Sequence, residues 1–114
     1  MILTDMKAAL KPLGYPIYAP GEHEGKCQVP YLVIKRSGTS AANKRIQGYA
    51  QVDVILYTPL SDYRLMDSVC AQAKRALSAV SGCKRPESVG PDIIESEYGA
   101  YSRTLTYRIA VTFD

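Results

Sequence analysis

From Tyr101 to Phe113 the sequence alternates without a break. Tyr101, Arg103, Leu105, Tyr107, Ile109, Val111 and Phe113 fall on one side, and Ser102, Thr104, Thr106, Arg108, Ala110 and Thr112 on the other. A period of two marks a strand, because successive side chains of an extended backbone point to opposite faces. So long a strand cannot stand alone: its backbone needs neighbouring strands and its apolar stripe needs a covering layer. Neighbours are at hand. Ile46 to Tyr57 alternates in the same way, with Ile46, Gly48, Ala50, Val52, Val54 and Leu56 opposite Gln47, Tyr49, Gln51, Asp53, Ile55 and Tyr57. Tyr31–Arg36, opened by Pro30, is a β-branched and aromatic run that reads as a buried strand. Ile93 to Tyr98, turning at Gly99-Ala100 into the last strand, predicts a hairpin.

The covering layer is legible too. Leu65, Met66, Val69, Cys70, Ala73, Ala76, Leu77 and Val80 recur at steps of three and four, predicting a helix of about 20 residues and about 30 Å. Thr58-Pro59 or Ser61 would cap its start, and Gly82 its end in the left-handed conformation. Leu3, Met6, Leu10 and Leu13 predict an amino-terminal helix, capped by Thr4 or Asp5 and ended by Pro12 and Gly14. Pro16 and Pro20 bracket a short extended piece, an edge strand or arm, followed by a polar loop from Gly21 to Gln28. Ser37 to Arg45 and Lys84 to Pro91 read as loops. The order predicts an α+β domain over residues 1–114: a mainly antiparallel β-sheet, one long helix packed across one face, and a second, amino-terminal helix.

Composition narrows the function classes. Over 114 residues, 46% hydrophobic and 22% charged, the chain is neither polar enough for disorder nor apolar enough for a membrane protein. The net charge of +3 comes from 14 basic and 11 acidic residues, too mixed to imply a nucleic-acid footprint. Met1 to Lys7 lacks the features of a signal peptide and no stretch reaches a membrane span, so no membrane association is expected and the cytosol is the default compartment. Cys27, Cys70 and Cys83 show no paired metal-ligand spacing and are expected as free thiols, Cys70 on the apolar helix stripe as a core residue. Nine Tyr, one Phe and no Trp suit positions with one dry and one wet side, favouring strands and interfaces over a sealed core.

No catalytic, cofactor-binding or metal-binding set emerges. His23, between Glu22 and Glu24, reads as part of a solvated loop, since neighbours on an extended chain point apart and there is no second histidine. Glu95 and Glu97 read as an exposed strand face, with Arg103 or Arg108 available to pair with them. Asp53 lies on the mixed face of its strand, where a carboxylate needs a partner such as Arg108, as a structural ion pair or a subunit contact. Lys35, Arg36, Lys44 and Arg45 place four cations around the Ser37–Arg45 loop, either as solvated strand ends or as a basic rim. With Tyr49, Asp53 and Arg108 they are the candidate interface residues.

The helix at the start, Ile17–Pro20, Val29–Ile34, the Tyr49–Tyr57 strand running into a helix rich in alanine and arginine, Ile94–Glu97 and Tyr101–Phe113 together resemble tail terminators of long-tailed bacteriophages. This is the family of tail-completion or head-to-tail joining proteins. Pro30-Tyr-Leu-Val-Ile34 and Gln51-Val-Asp-Val54 carry the likeness best. The resemblance implies a homo-oligomeric, hexameric ring that sits on the last ring of the major tail tube protein, stops its polymerisation and meets the head-tail connector protein. It implies no enzyme and no cofactor, assembly in the bacterial host cytoplasm, a final place in the virion tail, and transient contact with DNA passing through the lumen. Two alternatives stand beside it: another head-tail connector or minor tail component, and a small nucleic-acid-binding module using the basic loop.

Overall fold

The computed structural model describes residues 2–23, 25–41 and 47–112, and side chains over 3–23, 25–36 and 50–109. The element order is α1 (Ile2–Leu10), a 3₁₀ turn (Lys11–Leu13), β1 (Ile17–Tyr18), β2 (Tyr31–Ala41), β3 (Gln47–Pro59), α2 (Arg64–Leu77), β4 (Ser88–Val89), β5 (Ile93–Glu95), a 3₁₀ turn (Ser96–Tyr98) and β6 (Ala100–Thr112). The two segments with unbroken alternation, β3 and β6, pair antiparallel rung for rung from Gln47–Thr112 to Pro59–Ala100. β2 pairs antiparallel with the other edge of β3 from Tyr31–Tyr57 to Ala41–Gly48. β1 adds in parallel to β2, while β4 and β5 flank β6 antiparallel, giving a mostly antiparallel six-stranded sheet of mixed α+β content with two helices.

The alternation becomes two surfaces. Leu32 and Ile34 of β2, Val52, Val54 and Leu56 of β3, and Leu105, Tyr107 and Ile109 of β6 form one buried cluster with Met6 and Leu10 of α1 and Met66, Val69, Cys70, Ala73 and Leu77 of α2. Burying this much aliphatic surface is the main stabilising term of the fold. A smaller cluster of Cys27, Tyr31, Val33 and Ala100, with Tyr18, Ile55 and Tyr57 packed on it, takes the alternate positions and so lies on the opposite face.

Several local expectations are corrected. α2 has 14 residues rather than about 20, hence about 21 Å. It gives way to turns at Ser78, whose hydroxyl donates to the Arg75 carbonyl at 2.6 Å, and Gly82 adopts φ +86° a turn later. Thr58-Pro59 caps nothing: β3 continues through both residues, and the helix starts instead where Asp62 Oδ1 accepts the Arg64 N–H at 3.0 Å. Thr4 and Asp5 lie inside α1, which begins at Ile2. Ser37–Ala41, read as loop, extends β2, with Ser37 as a one-residue bulge between the Arg36–Val52 and Gly38–Gln51 rungs. Ser88–Val89, also read as loop, is strand β4.

The preference of tyrosine for half-wet sites fails most completely at Tyr107. Tyr107 is fully buried, its hydroxyl has no hydrogen-bond partner among the described residues, and burial beside Cys83 and Cys70 pushes its ionisation well above the usual tyrosine range. All three cysteines are free and buried, and burial also raises the Cys27 and Cys83 thiols. No helix among the described residues is long and apolar enough to cross a membrane.

Candidate functional site

The sheet face opposite the aliphatic cluster carries the candidate site, and strand register determines its layout. Residues on one rung share a face, so three rows cross it: Tyr31–Tyr57–Ser102, then Tyr18–Val33–Ile55–Thr104, then Lys35–Asp53–Thr106–Ser88. Gln51 and Arg108 follow as the next rung. The face is therefore aromatic at one end, aliphatic in the middle and polar at the other.

The aromatic end is built by the segment after β1. Gly21 and Gly25, at φ +78° and +84°, let the chain fold back, and the Ala19 N–H donates to Glu22 Oε1 at 2.8 Å within that turn. The fold-back lays His23 on Tyr31, with ring centroids 4.0 Å apart and planes within 15°. Tyr31 in turn stacks on Tyr57 at 4.7 Å, and Tyr18 meets both His23 and Tyr31 edge-on. Farther along, the Cys27 N–H donates to the Tyr98 carbonyl at 2.7 Å and Lys26 Nζ to the Glu97 carbonyl at 2.9 Å, tying the segment to the turn before β6. Burial first, then neighbouring ionisable groups (Cys27 and the other phenols for Tyr31, Glu95 and Tyr98 for Tyr57), raises the Tyr31 and Tyr57 phenols, which stay protonated through neutral pH. His23 is thus a packed member of an aromatic cluster and not a solvated loop residue, and its Nδ1 is buried with no partner among the described residues. The missed signal was the pair of glycines on either side of His23, which allows the loop to return to the strand carrying Tyr31.

At the polar end, Thr106 Oγ1 donates to Asp53 Oδ1 at 3.0 Å, and Lys35 faces Asp53 across the β2–β3 rung. The contact that satisfies Asp53 is thus a threonine on β6. Arg108 approaches Glu87 at 3.8 Å as an exposed pair of the kind that contributes little. Of the other candidates, Arg36 has the parity of Val52 and lies on the opposite face from Lys35. Tyr49 occupies the rung between Ser40 and Ala110, its side chain outside the described ones, and Lys44 and Arg45 lie outside the described residues altogether. Among the candidates with described side chains, Lys35, Asp53 and Arg108 share a face and Arg36 lies on the other.

The ion pairs expected for Glu95 and Glu97 are replaced by a different cluster. Glu97 sits in a 3₁₀ turn and not on a strand. Arg103, on β6, grips Asp92 with two nitrogens, the Nη2–Oδ2 contact being 2.8 Å, and its Nη2 also reaches Asp67 of α2 at 3.1 Å. The Tyr63 phenol donates to the same Asp92 at 2.6 Å, and its ring meets Tyr101 edge-on at 4.9 Å. The Arg103 and Tyr63 hydrogen bonds hold the Asp92 carboxyl below the usual carboxylate range. This cluster pins the first turns of α2 to the sheet and is structural in character.

Chemically, the second face offers hydrogen bonds, single charges and aromatic surface: the means of binding. Among the described residues no group of three or more His, Cys, Asp or Glu is placed to hold a metal ion. Compared with known proteins, the chain matches no family model and no curated protein sequence.

Proposed function

We propose that this chain is a structural, non-enzymatic virion protein, a tail terminator of long-tailed bacteriophages that forms a homo-oligomeric ring, caps the tail tube and joins it to the head connector. In this reading α2, packed across one face, completes the subunit's own core, and the opposite face is left for other chains. The observation that carries the proposal is the Lys35–Asp53–Thr106–Ser88 row on that face, together with a three-stranded ladder that runs on to the Ala41–Gly48–Val111 rungs. A polar, hydrogen-bonding β surface of this kind suits the packing of one subunit on the next. Lys44 and Arg45, between β2 and β3 in sequence, would meet either a neighbouring subunit or DNA in the lumen.

Light scattering over a range of protein concentrations, alone and with tail tubes, tests this. A ring-sized mass, free or formed on the tubes, is expected; a strictly monomeric protein even with tubes present overturns it. If the ring binds a connector but no tube, the connector or minor-tail alternative takes its place. Lys35 and Arg36 are both exposed but on opposite faces of β2, which weakens the nucleic-acid-binding alternative; DNA binding with a steep salt dependence would restore it.

A further inference from the structure

The carboxyl end of α2 holds the charge that the rest of the chain cancels. Residues 68–87 carry Lys74, Arg75, Lys84 and Arg85 against the single acid Glu87, so they account for the whole net charge of +3, while the other ten basic and ten acidic residues balance. All four cations are exposed, and none takes part in an ion pair among the described residues; Glu87 is met by Arg108. We propose that this end of the molecule is a sequence-independent docking surface for the phosphate backbone of double-stranded nucleic acid.

Lys74 and Arg75 stand in the last turn of α2, where the helix dipole favours cations. The dipole accounts for these two only. Lys84 and Arg85 lie beyond the helix and, with residues 78–82, line an open hollow of about 580 Å³. The acceptors around it are already used: the carbonyls of Lys74, Arg75, Ala76 and Leu77 accept from the Ser78 N–H, the Ser78 hydroxyl, the Ala79 N–H and the Val80 N–H, and the Val80 carbonyl accepts from the Cys83 N–H. The negative end of the helix is thereby covered. Donors remain, since the Ser81 hydroxyl and the N–H groups of Ser81 and Gly82 have no partner among the described residues.

Ammonium, guanidinium, hydroxyl and free N–H groups, with no carboxylate in the lining, are the donors that phosphodiester oxygens bind. The lining also holds no aromatic ring, which single strands need for base stacking and which protein partners use as anchors, so the duplex backbone is the occupant that fits. A hollow meets the convex backbone and not the groove, hence no dependence on sequence. None of the four cations belongs to the 35–45 segment. The inference rests on this surface alone, so duplex binding by a chain that never assembles into a ring would still support it.

The test is fluorescence anisotropy of the full chain with two labelled DNA duplexes of about 20 base pairs and different sequence, titrated at several salt concentrations. Both should bind with the same Kd, about 10 µM in about 50 mM salt, with a log–log salt slope of about −3.6 for four phosphate contacts. Lys84→Ala and Arg85→Ala, both at exposed positions that leave the fold intact, should each weaken binding about tenfold and flatten the slope by about 0.9. Arg64→Ala, at the other end of α2 and 94% exposed, should bind as the parent does. No binding in about 50 mM salt, an affinity that follows the duplex sequence, tighter binding of the single strand or of a polyaspartate of equal charge, or unchanged binding by the Lys84 and Arg85 variants would each overturn the proposal.

Discussion

The same three strands present two faces that could hardly differ more. On one, Val52, Val54, Leu56, Leu105 and Tyr107 are fully buried with the helices in a single aliphatic cluster. On the other, the alternate residues run from stacked aromatics through Val33 and Ile55 to the Lys35–Asp53–Thr106 row, with residues of the 19–27 segment over one end only. One parity of the strand sequence builds the larger core; the other builds the smaller cluster at one end and, in the proposed reading, a surface for other chains. The difference teaches where substitutions should separate folding from assembly.

The largest effect is expected on the first face. Leu105→Ala removes a fully buried side chain at the centre of the larger cluster and should cost about 3 kcal/mol, read as a lowered denaturation midpoint with an unchanged slope. A loss below about 1 kcal/mol would break the claim that this face carries the stability.

Next comes the Arg103 cluster at the edge of the same face. The Arg103 and Asp92 side chains are only 15% and 14% exposed, so Arg103→Ala strands a largely buried carboxylate and should cost about 2 kcal/mol. It also changes the pH profile. Because the folded Asp92 carboxyl titrates below its unfolded value, its contribution is present above about pH 4 and is lost as pH falls through the depressed value. Thermal melts between about pH 2 and 6 should show a shallower acid limb in the variant than in the parent chain.

Smaller still is Tyr107→Phe, which deletes a buried hydroxyl that has no partner among the described residues. The expectation is a change from zero to about 1 kcal/mol in the stabilising direction, by equilibrium denaturation. On the second face, Asp53→Ala loses one part-exposed hydrogen bond to Thr106 and should change monomer stability by no more than about 1 kcal/mol while impairing assembly. A variant that keeps a stable ring yet loses a measurable turnover would contradict the non-enzymatic reading.

Much of this architecture was written in periodicity. β3, β6 and the apolar stripe of α2 follow from steps of two and of three to four, because both patterns report burial, and burial decided them. What stayed hidden was decided by partners distant in sequence. Ser37–Ala41 has the composition of a loop, yet β3 offers it an unpaired edge and the backbone hydrogen bonds win over side-chain preference. Ser88–Val89 is too short to show a period. Thr58-Pro59 looks like a helix start, but Pro59 stands at the end of β3, where a missing N–H costs little. The role of His23 could not be read from Glu22 and Glu24 beside it; it depends on Tyr18 and Tyr31, which only the fold-back at Gly21 and Gly25 brings near. The sequence offers Arg103 the acids along its own hairpin, whereas the ones it holds come from the loop before β5 and from α2.

The central claim, that the polar row of the second face serves assembly, is tested most directly by the mass of the parent chain and of Asp53→Arg, measured by light scattering in the presence of tail tubes. The claim predicts a tube-capping ring for the parent and a folded, unassembled monomer for the variant; a parent that stays monomeric on tubes, or a variant that assembles as well as the parent, would contradict it.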